Sequence, residues 1–175
     1  MLIRVYIGVS ADGFVATADG NPAWGDRFDP VAYGHDEFLQ QIGAVVMGRT
    51  TFDQAAVTFV GDWPWKGKEV YVLTSRPLPT DPPAGVTAWQ GGAAALLAHL
   101  RAAHLARDVE LLGGPRTIQA FRELGGIDRL EIYLLPALLG DGIPLFPPRA
   151  APLALRLDRH RTFPDGTIEL IYSPA

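Results

Sequence analysis

Ala44-Val45-Val46-Met47-Gly48-Arg49-Thr50-Thr51-Phe52 joins a short, wholly apolar run to a glycine and then to polar residues that can open a helix. The apolar run shows no alternation, which suits a strand buried on both faces of a parallel sheet. Glycine lets the backbone come close to a ligand. A helix starting there presents free N–H groups and a partial positive charge, and Arg49 and Thr50 add donors at the same end. The pattern recurs in Leu111-Leu112-Gly113-Gly114-Pro115-Arg116-Thr117-Ile118. Two such turns, each with Arg and Thr, point to a phosphate-bearing ligand at the carboxyl ends of parallel strands. A third strand end, Thr74-Ser75-Arg76, offers two hydroxyls and a guanidinium, a set suited to an extra 2′-phosphate. The competing reading of each segment is an ordinary turn with a solvated arginine.

The segments around these turns alternate between strand and helix. Leu2 to Val9 reads as a strand and Asp12-Gly13 as a turn, and a long loop from Thr17 to Asp29 carries Trp24 and Phe28. Asp29 and Pro30 read as the N-cap and first residue of a helix. Its apolar stripe is Val31, His35, Phe38, Leu39 and Ile42, and Gly43 ends it. Further strands are expected over 69–73, 86–89, 108–112 and 130–135, and helices over 52–57, 93–105 and 115–124. Residues 153–161 and 167–172 flank Pro164-Asp165-Gly166. Leu153, Leu155 and Leu157 alternate with Ala154, Arg156 and Asp158, as in an antiparallel hairpin with one polar face. The pattern predicts one α/β domain over 1–175, with a mostly parallel sheet, an antiparallel C-terminal hairpin and helices on both faces.

Composition removes several chemistries. The 175 residues include no cysteine, three serines (Ser10, Ser75 and Ser173) and two lysines (Lys66 and Lys68). Without cysteine there is no disulfide, no thiolate nucleophile and no cysteine-based metal site. Gly8-Val9-Ser10-Ala11-Asp12 fails the last position of a serine-hydrolase elbow. His99 and His104 are five apart, about 140° around a helix, and do not converge on a metal. Gly67-Lys68-Glu69 is not a Walker loop. A net charge of −4 without a basic patch argues against nucleic acid. No apolar run is long enough to cross a bilayer and the first residues do not form a cleavable signal, so a cytoplasmic protein is expected.

Together these segments resemble the dihydrofolate reductase-like superfamily. The residues that carry the resemblance are Val46-Met47-Gly48-Arg49-Thr50-Thr51-Phe52, Tyr71-Val72-Leu73-Thr74-Ser75-Arg76-Pro77, Leu112-Gly113-Gly114-Pro115 and Leu138 to Phe146. The branch they resemble most is the C-terminal domain family of riboflavin-biosynthesis reductases. Val9-Ser10-Ala11-Asp12-Gly13-Phe14 is similar to that branch's opening segment, with Ala11 in place of its leucine. The resemblance implies a three-layer fold with an eight-stranded mixed sheet, NADPH as cofactor, a small-molecule substrate, a cis peptide between Gly113 and Gly114, and a homodimer joined through the C-terminal strands. It implies that Gly48, Arg49, Thr50 and Thr51 hold cofactor phosphates, and that Thr74, Ser75 and Arg76 meet the 2′-phosphate. Gly113, Gly114, Pro115, Arg116, Thr117 and Ile118 would line the pyrophosphate and nicotinamide side.

The substrate side departs from the named relatives. The acidic residue that dihydrofolate reductases place in the first helix falls, by spacing back from Gly48, near Ala32; His35, Asp36 and Glu37 lie about one turn later. The ribose-phosphate site of the riboflavin branch finds only Thr17 and Arg27 between Asp12 and Asp29. The expected activity is therefore hydride transfer to a pterin-, pyrimidine- or carbonyl-type substrate. Ala11, Asp12, Gly13, Phe14 and Trp24 would wall that substrate, and Asp12, Trp24, His35 and Asp36 are the catalytic candidates. Asp12-Gly13 also reads as a plain turn, Trp24 as a loop aromatic capping the core, and His35 as a helix-face residue packed inward. Two rival readings are a nicotinamide-nucleotide-binding module without catalysis and a flavin protein. No metal site is expected.

Overall fold

In the computed structural model, which describes residues 1–147 and 151–175, β1 (Ile3–Ser10) and β2 (Phe14–Ala16) are followed by α1 (His35–Gln41), β3 (Ile42–Gly48) and α2 (Arg49–Thr58). Next come β4 (Glu69–Leu73), β5 (Val86–Trp89), α3 (Gly92–Ala102), β6 (Asp108–Gly113) and α4 (Pro115–Glu123). The chain ends with β7 (Arg129–Leu135), β8 (Ile143–Pro144), β9 (Leu155–Thr162) and β10 (Ile168–Pro174). Eight strands form one sheet in the order β5-β4-β3-β6-β1-β7-β10-β9. Pairing is parallel from β5 through β7 and antiparallel at β10 and β9, the expected mixed arrangement. No helix among the described residues is long and apolar enough to cross a membrane.

Alternation along β1 separates two cores. Ile3, Val5 and Val9 face α3 and α4, where they meet Leu96, Leu100, Ile118 and Phe121. The opposite face of the sheet meets α1 and α2 through Phe38, Phe52, Ala55, Val45 and Met47. Each fully buried side chain of this size stabilises the fold by roughly 1.5–3 kcal/mol. β3 and β6 touch both cores, which explains their unbroken apolar character.

The second face also buries charge. The Arg4 guanidinium, 4% exposed, donates from Nε to Glu131 at 2.6 Å and from Nη1 to Gln41 at 2.8 Å and Asp108 at 3.1 Å. Its carbon lies 4.7 Å from the centre of the Phe38 ring. Glu110 beside it is fully buried and accepts from Trp65 Nε1 at 3.1 Å; its Oε1 has no partner among the described residues. Burial pushes the Glu110 carboxyl up to about 7. Lys68 closes this region by donating to the carbonyls of Leu39 at 2.7 Å and Ile42 at 2.9 Å, at the end of α1.

Three local expectations change. The helix expected over 29–43 is two pieces. Asp29 Oδ1 does accept from the Val31 N–H at 2.9 Å, but only a 3-10 turn, Val31–Tyr33, follows. Gly34 then takes φ 85°, a conformation glycine adopts without steric cost, and α1 restarts at His35. Ile42 and Gly43 belong to β3 instead of the helix end. The loop containing Phe14 and the loop before Leu145 hold a two-stranded sheet, with Phe14 opposite Pro144 and Ala16 opposite Ile143. The C-terminal hairpin exists, but β9 is exposed along both faces because it is an edge strand that no helix covers.

Candidate active site

The carboxyl ends of β4, β3 and β6 lie side by side, with Gly48 opposite Leu73 and Met47 opposite Gly113. The three polar turns read from the sequence therefore share one edge. β1 adjoins β6 in the same sheet, yet the two pair only at Ile3–Val109 and Arg4–Glu110. β1 and β7 pair along the whole strand, from Arg4–Arg129 to Ser10–Leu135. The result is an unpaired notch between the ends of β1 and β6, with Ser10 on one side and Gly113 on the other. Notches of this kind at carboxyl ends are where open α/β sheets take their ligands.

Two helices open onto this edge. α2 has Gly48 as N-cap and α4 has Gly114; neither receives a side-chain cap, and neither first turn holds an acidic residue. First-turn N–H groups lack partners inside a helix, so an anion is the natural complement of both ends. The turns interlock closely. A Cβ on Gly48 would stand 2.7 Å from Thr117 Oγ1, and one on Gly114 would stand 3.3 Å from Thr51 Oγ1. The Gly113–Gly114 peptide is cis, as the resemblance implies. Pro115 takes the first helical position, where its missing N–H costs nothing. Thr117 and Ile118 are buried, while Thr50 and Arg116 are exposed toward solvent. This bare, glycine-lined cradle could hold an anionic group such as a diphosphate.

The third turn is stitched to the first. Arg49 donates from Nη1 to the Pro77 carbonyl and from Nε to Asp53 Oδ1, both at 2.7 Å. Thr74 Oγ1 accepts from the Arg76 N–H at 3.0 Å, and Ser75 and Arg76 are exposed. Arg76 Nη2 lies 3.9 Å from Asp53 Oδ2. Asp53 thus belongs to the site, although the sequence reading passed over it. Its spacing of four from Arg49 is the signal that could have found it.

Asp12 orders the loop that carries the substrate-side candidates Ala11, Gly13 and Phe14. This carboxylate accepts from Ser10 Oγ at 2.6 Å, from the Gly140 N–H at 2.7 Å and from the Leu139 N–H at 3.1 Å. Those bonds, Ser10 first, hold its pKa below the usual carboxylate value. Ser10 Oγ in turn accepts from the Phe14 N–H at 2.9 Å. Ala11, Gly13 and Phe14 therefore sit on a loop tied to Leu139 and Gly140. Trp24 donates from Nε1 to the Val15 carbonyl at 3.1 Å and packs beside Phe28, Tyr33, Tyr133 and Leu135. His35 opens α1 half-buried, 5.2 Å from the Tyr6 ring, and burial lowers its pKa. Asp36 points to solvent. No hydrogen bond among the described residues joins Asp12 to His35 or Asp36. No group of three His, Cys, Asp or Glu side chains suited to a metal occurs among the described residues.

The sequence matches the RibD C-terminal domain over residues 2–168. The chain belongs to this family. YwjB of Bacillus subtilis (strain 168), an uncharacterized protein, is 32% identical over 160 residues, covering 91% of this chain and 90% of its own. A Shewanella sp. PV-4 protein provisionally assigned to riboflavin biosynthesis superposes with a TM-score of 0.87 at 28% identity, covering 100% of this chain and 99% of that one. The diaminohydroxyphosphoribosylaminopyrimidine deaminase/5-amino-6-(5-phosphoribosylamino)uracil reductase of Thermotoga maritima superposes with a TM-score of 0.74 at 15% identity. That match covers 99% of this chain and 56% of the longer protein, and it shows a shared fold.

Proposed function

We propose that this protein is an NADPH-dependent reductase acting on a small ring compound, a pyrimidine or pterin in preference to a simple carbonyl. The observation that carries this reading is the edge formed by two uncapped helix starts, at Gly48 and Gly114, beside Thr74-Ser75-Arg76. Family membership supports it, as does the uracil reductase named among the structural relatives. The helix starts would take the diphosphate and Arg76 the 2′-phosphate. Bound NADPH supplies the hydride; the chain positions it and keeps water out.

In this reading Asp12 is the anchor of the substrate wall. Its oxygens are occupied by Ser10 and two backbone N–H groups, so its task is to fix Ala11, Gly13 and Phe14. His35 is the better placed of the two remaining proton-relay candidates, because it is half-buried beside Tyr6 whereas Asp36 is exposed. The occupied state of Ser10 and Asp12 also favours a second reading, a dinucleotide-binding module without catalysis. The two readings separate in one experiment: titration of tryptophan fluorescence with NADPH, then a screen of pyrimidines, pterins and carbonyl compounds for NADPH oxidation. Saturable binding with oxidation supports the enzyme, and binding without oxidation of any compound supports the module. Absence of NADPH binding would falsify both.

We also infer a homodimer that works in the cytoplasm. Leu155 and Leu157 of β9 are 37% and 48% exposed and extend the partly buried row of Ile132, Leu134 and Tyr172. An apolar groove between α4 and β9, lined by Ile127, Leu130, Phe146, Pro152 and Leu153, continues this surface at the end of the sheet opposite the proposed cofactor edge. A second copy would cover it, and light scattering at micromolar concentration tests this: a monomer contradicts the inference.

A further inference from the structure

Arginine at the first position of a helix works against the helix dipole, so Arg49 gains nothing for α2 by standing there. Its placement makes sense if an anion is to arrive. Until then its charge is answered from within the chain. Asp53, one turn along α2 and 44% exposed, holds Arg49 at hydrogen-bond distance through Oδ1 and reaches toward Arg76 through Oδ2. A plain i,i+4 ion pair accounts for the first contact. It does not account for the second, which crosses to the loop after β4.

We propose that Asp53 sets the choice between a 2′-phosphate and a 2′-hydroxyl at the adenosine end of the dinucleotide site, by serving as an internal anion between Arg49 and Arg76. The inference rests on the dinucleotide reading given above. The two contacts are unequal. Arg49 is fixed on two sides, by Asp53 and by the Pro77 carbonyl, while Arg76 is 67% exposed and 3.9 Å from the carboxylate. Arg76 is therefore the cation that a phosphate can claim. A phosphate arriving there stands close to Asp53 and is repelled by it. A 2′-hydroxyl carries no charge, escapes that repulsion and can donate to a carboxylate. Asp53 thereby weakens NADPH more than NADH and narrows the preference between them.

The test is Asp53→Asn, which keeps the size of the side chain and an oxygen that can still accept from Arg49 Nε. NADPH and NADH affinities are measured directly by tryptophan fluorescence at low and at physiological salt, with Arg76→Ala as a second arm. Asp53→Asn is expected to tighten NADPH about three- to tenfold and NADH less than about twofold, with a steeper salt dependence for NADPH. An unchanged ratio of the two affinities, or an equal weakening of both, overturns the proposal and leaves Asp53 as a helix-stabilising residue. If Arg76→Ala weakens NADPH selectively while Asp53→Asn leaves the ratio alone, the dinucleotide reading stands and the Asp53 inference falls. If neither nucleotide binds the unaltered protein, both fall.

Discussion

Arg4 and Arg49 stand at opposite ends of the parallel part of the sheet, near β1 and β3 with β6 between them, and are used in opposite ways. Arg4, near the start of β1, is buried and spends its donors on Glu131, Asp108 and Gln41. Arg49, at the carboxyl edge of β3, is partly open and leans on one surface carboxylate and one carbonyl. The first arrangement is complete without a ligand. The second leaves a cation at a helix start whose N–H groups have no side-chain cap. Charge near a sheet is thus no sign of function by itself. What sets the two arginines apart is whether the chain supplies all of their partners.

The largest effect that can test this contrast is at Arg4. Arg4→Ala leaves Glu131 buried without its cation and is expected to cost about 3–5 kcal/mol of unfolding free energy in urea. A loss below about 1 kcal/mol would show that the buried network does not carry the fold. NADPH affinity of the folded variant is expected to stay within about twofold of the original, since removing a fold-supporting group does not touch the strand-end edge.

Glu110 probes the same buried region through pH. Its carboxyl is raised from an ordinary 4.5 to about 7, so the folded state holds the proton more tightly than the unfolded chain does. That contribution to stability is complete below about pH 4.5 and is lost as pH rises through 7. Glu110→Gln is expected to flatten this slope and to stabilise the protein at pH 8 by on the order of 2 kcal/mol. Chemical unfolding at pH 5 and pH 8 reads it out, and an unaltered slope between them contradicts the assignment.

At the other end of the comparison, Gly48→Ala brings a methyl group to 2.7 Å from Thr117 Oγ1 and pushes the two glycine turns apart. NADPH affinity is expected to fall about tenfold or more, equivalent to about 1.4 kcal/mol. Isothermal titration measures this directly. Unchanged affinity would mean that the interlocked turns do not hold the dinucleotide.

The strand-end turns were legible in the sequence because each is local: an apolar run, a glycine, and an arginine and threonine within a few residues. Their meeting at one edge followed from parallel strand order alone. The pairing of Phe14 with Pro144 was not legible, since it joins two short loops more than a hundred residues apart. Gly34 was read as part of a helix because the apolar stripe runs through it, although φ 85° breaks that helix. Arg4, Glu110, Glu131 and Glu169 were hidden for a different reason. Alternation along a strand marks a polar face as solvent-facing, and these side chains are buried on theirs: Arg4 pairs with Glu131, Glu169 accepts from Tyr133, and Glu110 accepts from Trp65. The alternation of the β9 leucines did mark a hairpin, and within the described chain Leu155 and Leu157 of its apolar face stay exposed.

In the function proposed above, the strand-end arginines serve a phosphate-bearing dinucleotide, with Arg76 reserved for the 2′-phosphate. Paired titrations of NADPH and NADH into the unaltered protein and into Arg76→Ala test it most directly. Arg76→Ala is expected to weaken NADPH by about tenfold and NADH by less than about twofold, the loss of one charge-assisted contact. An equal loss for the two nucleotides, or none for either, would contradict it.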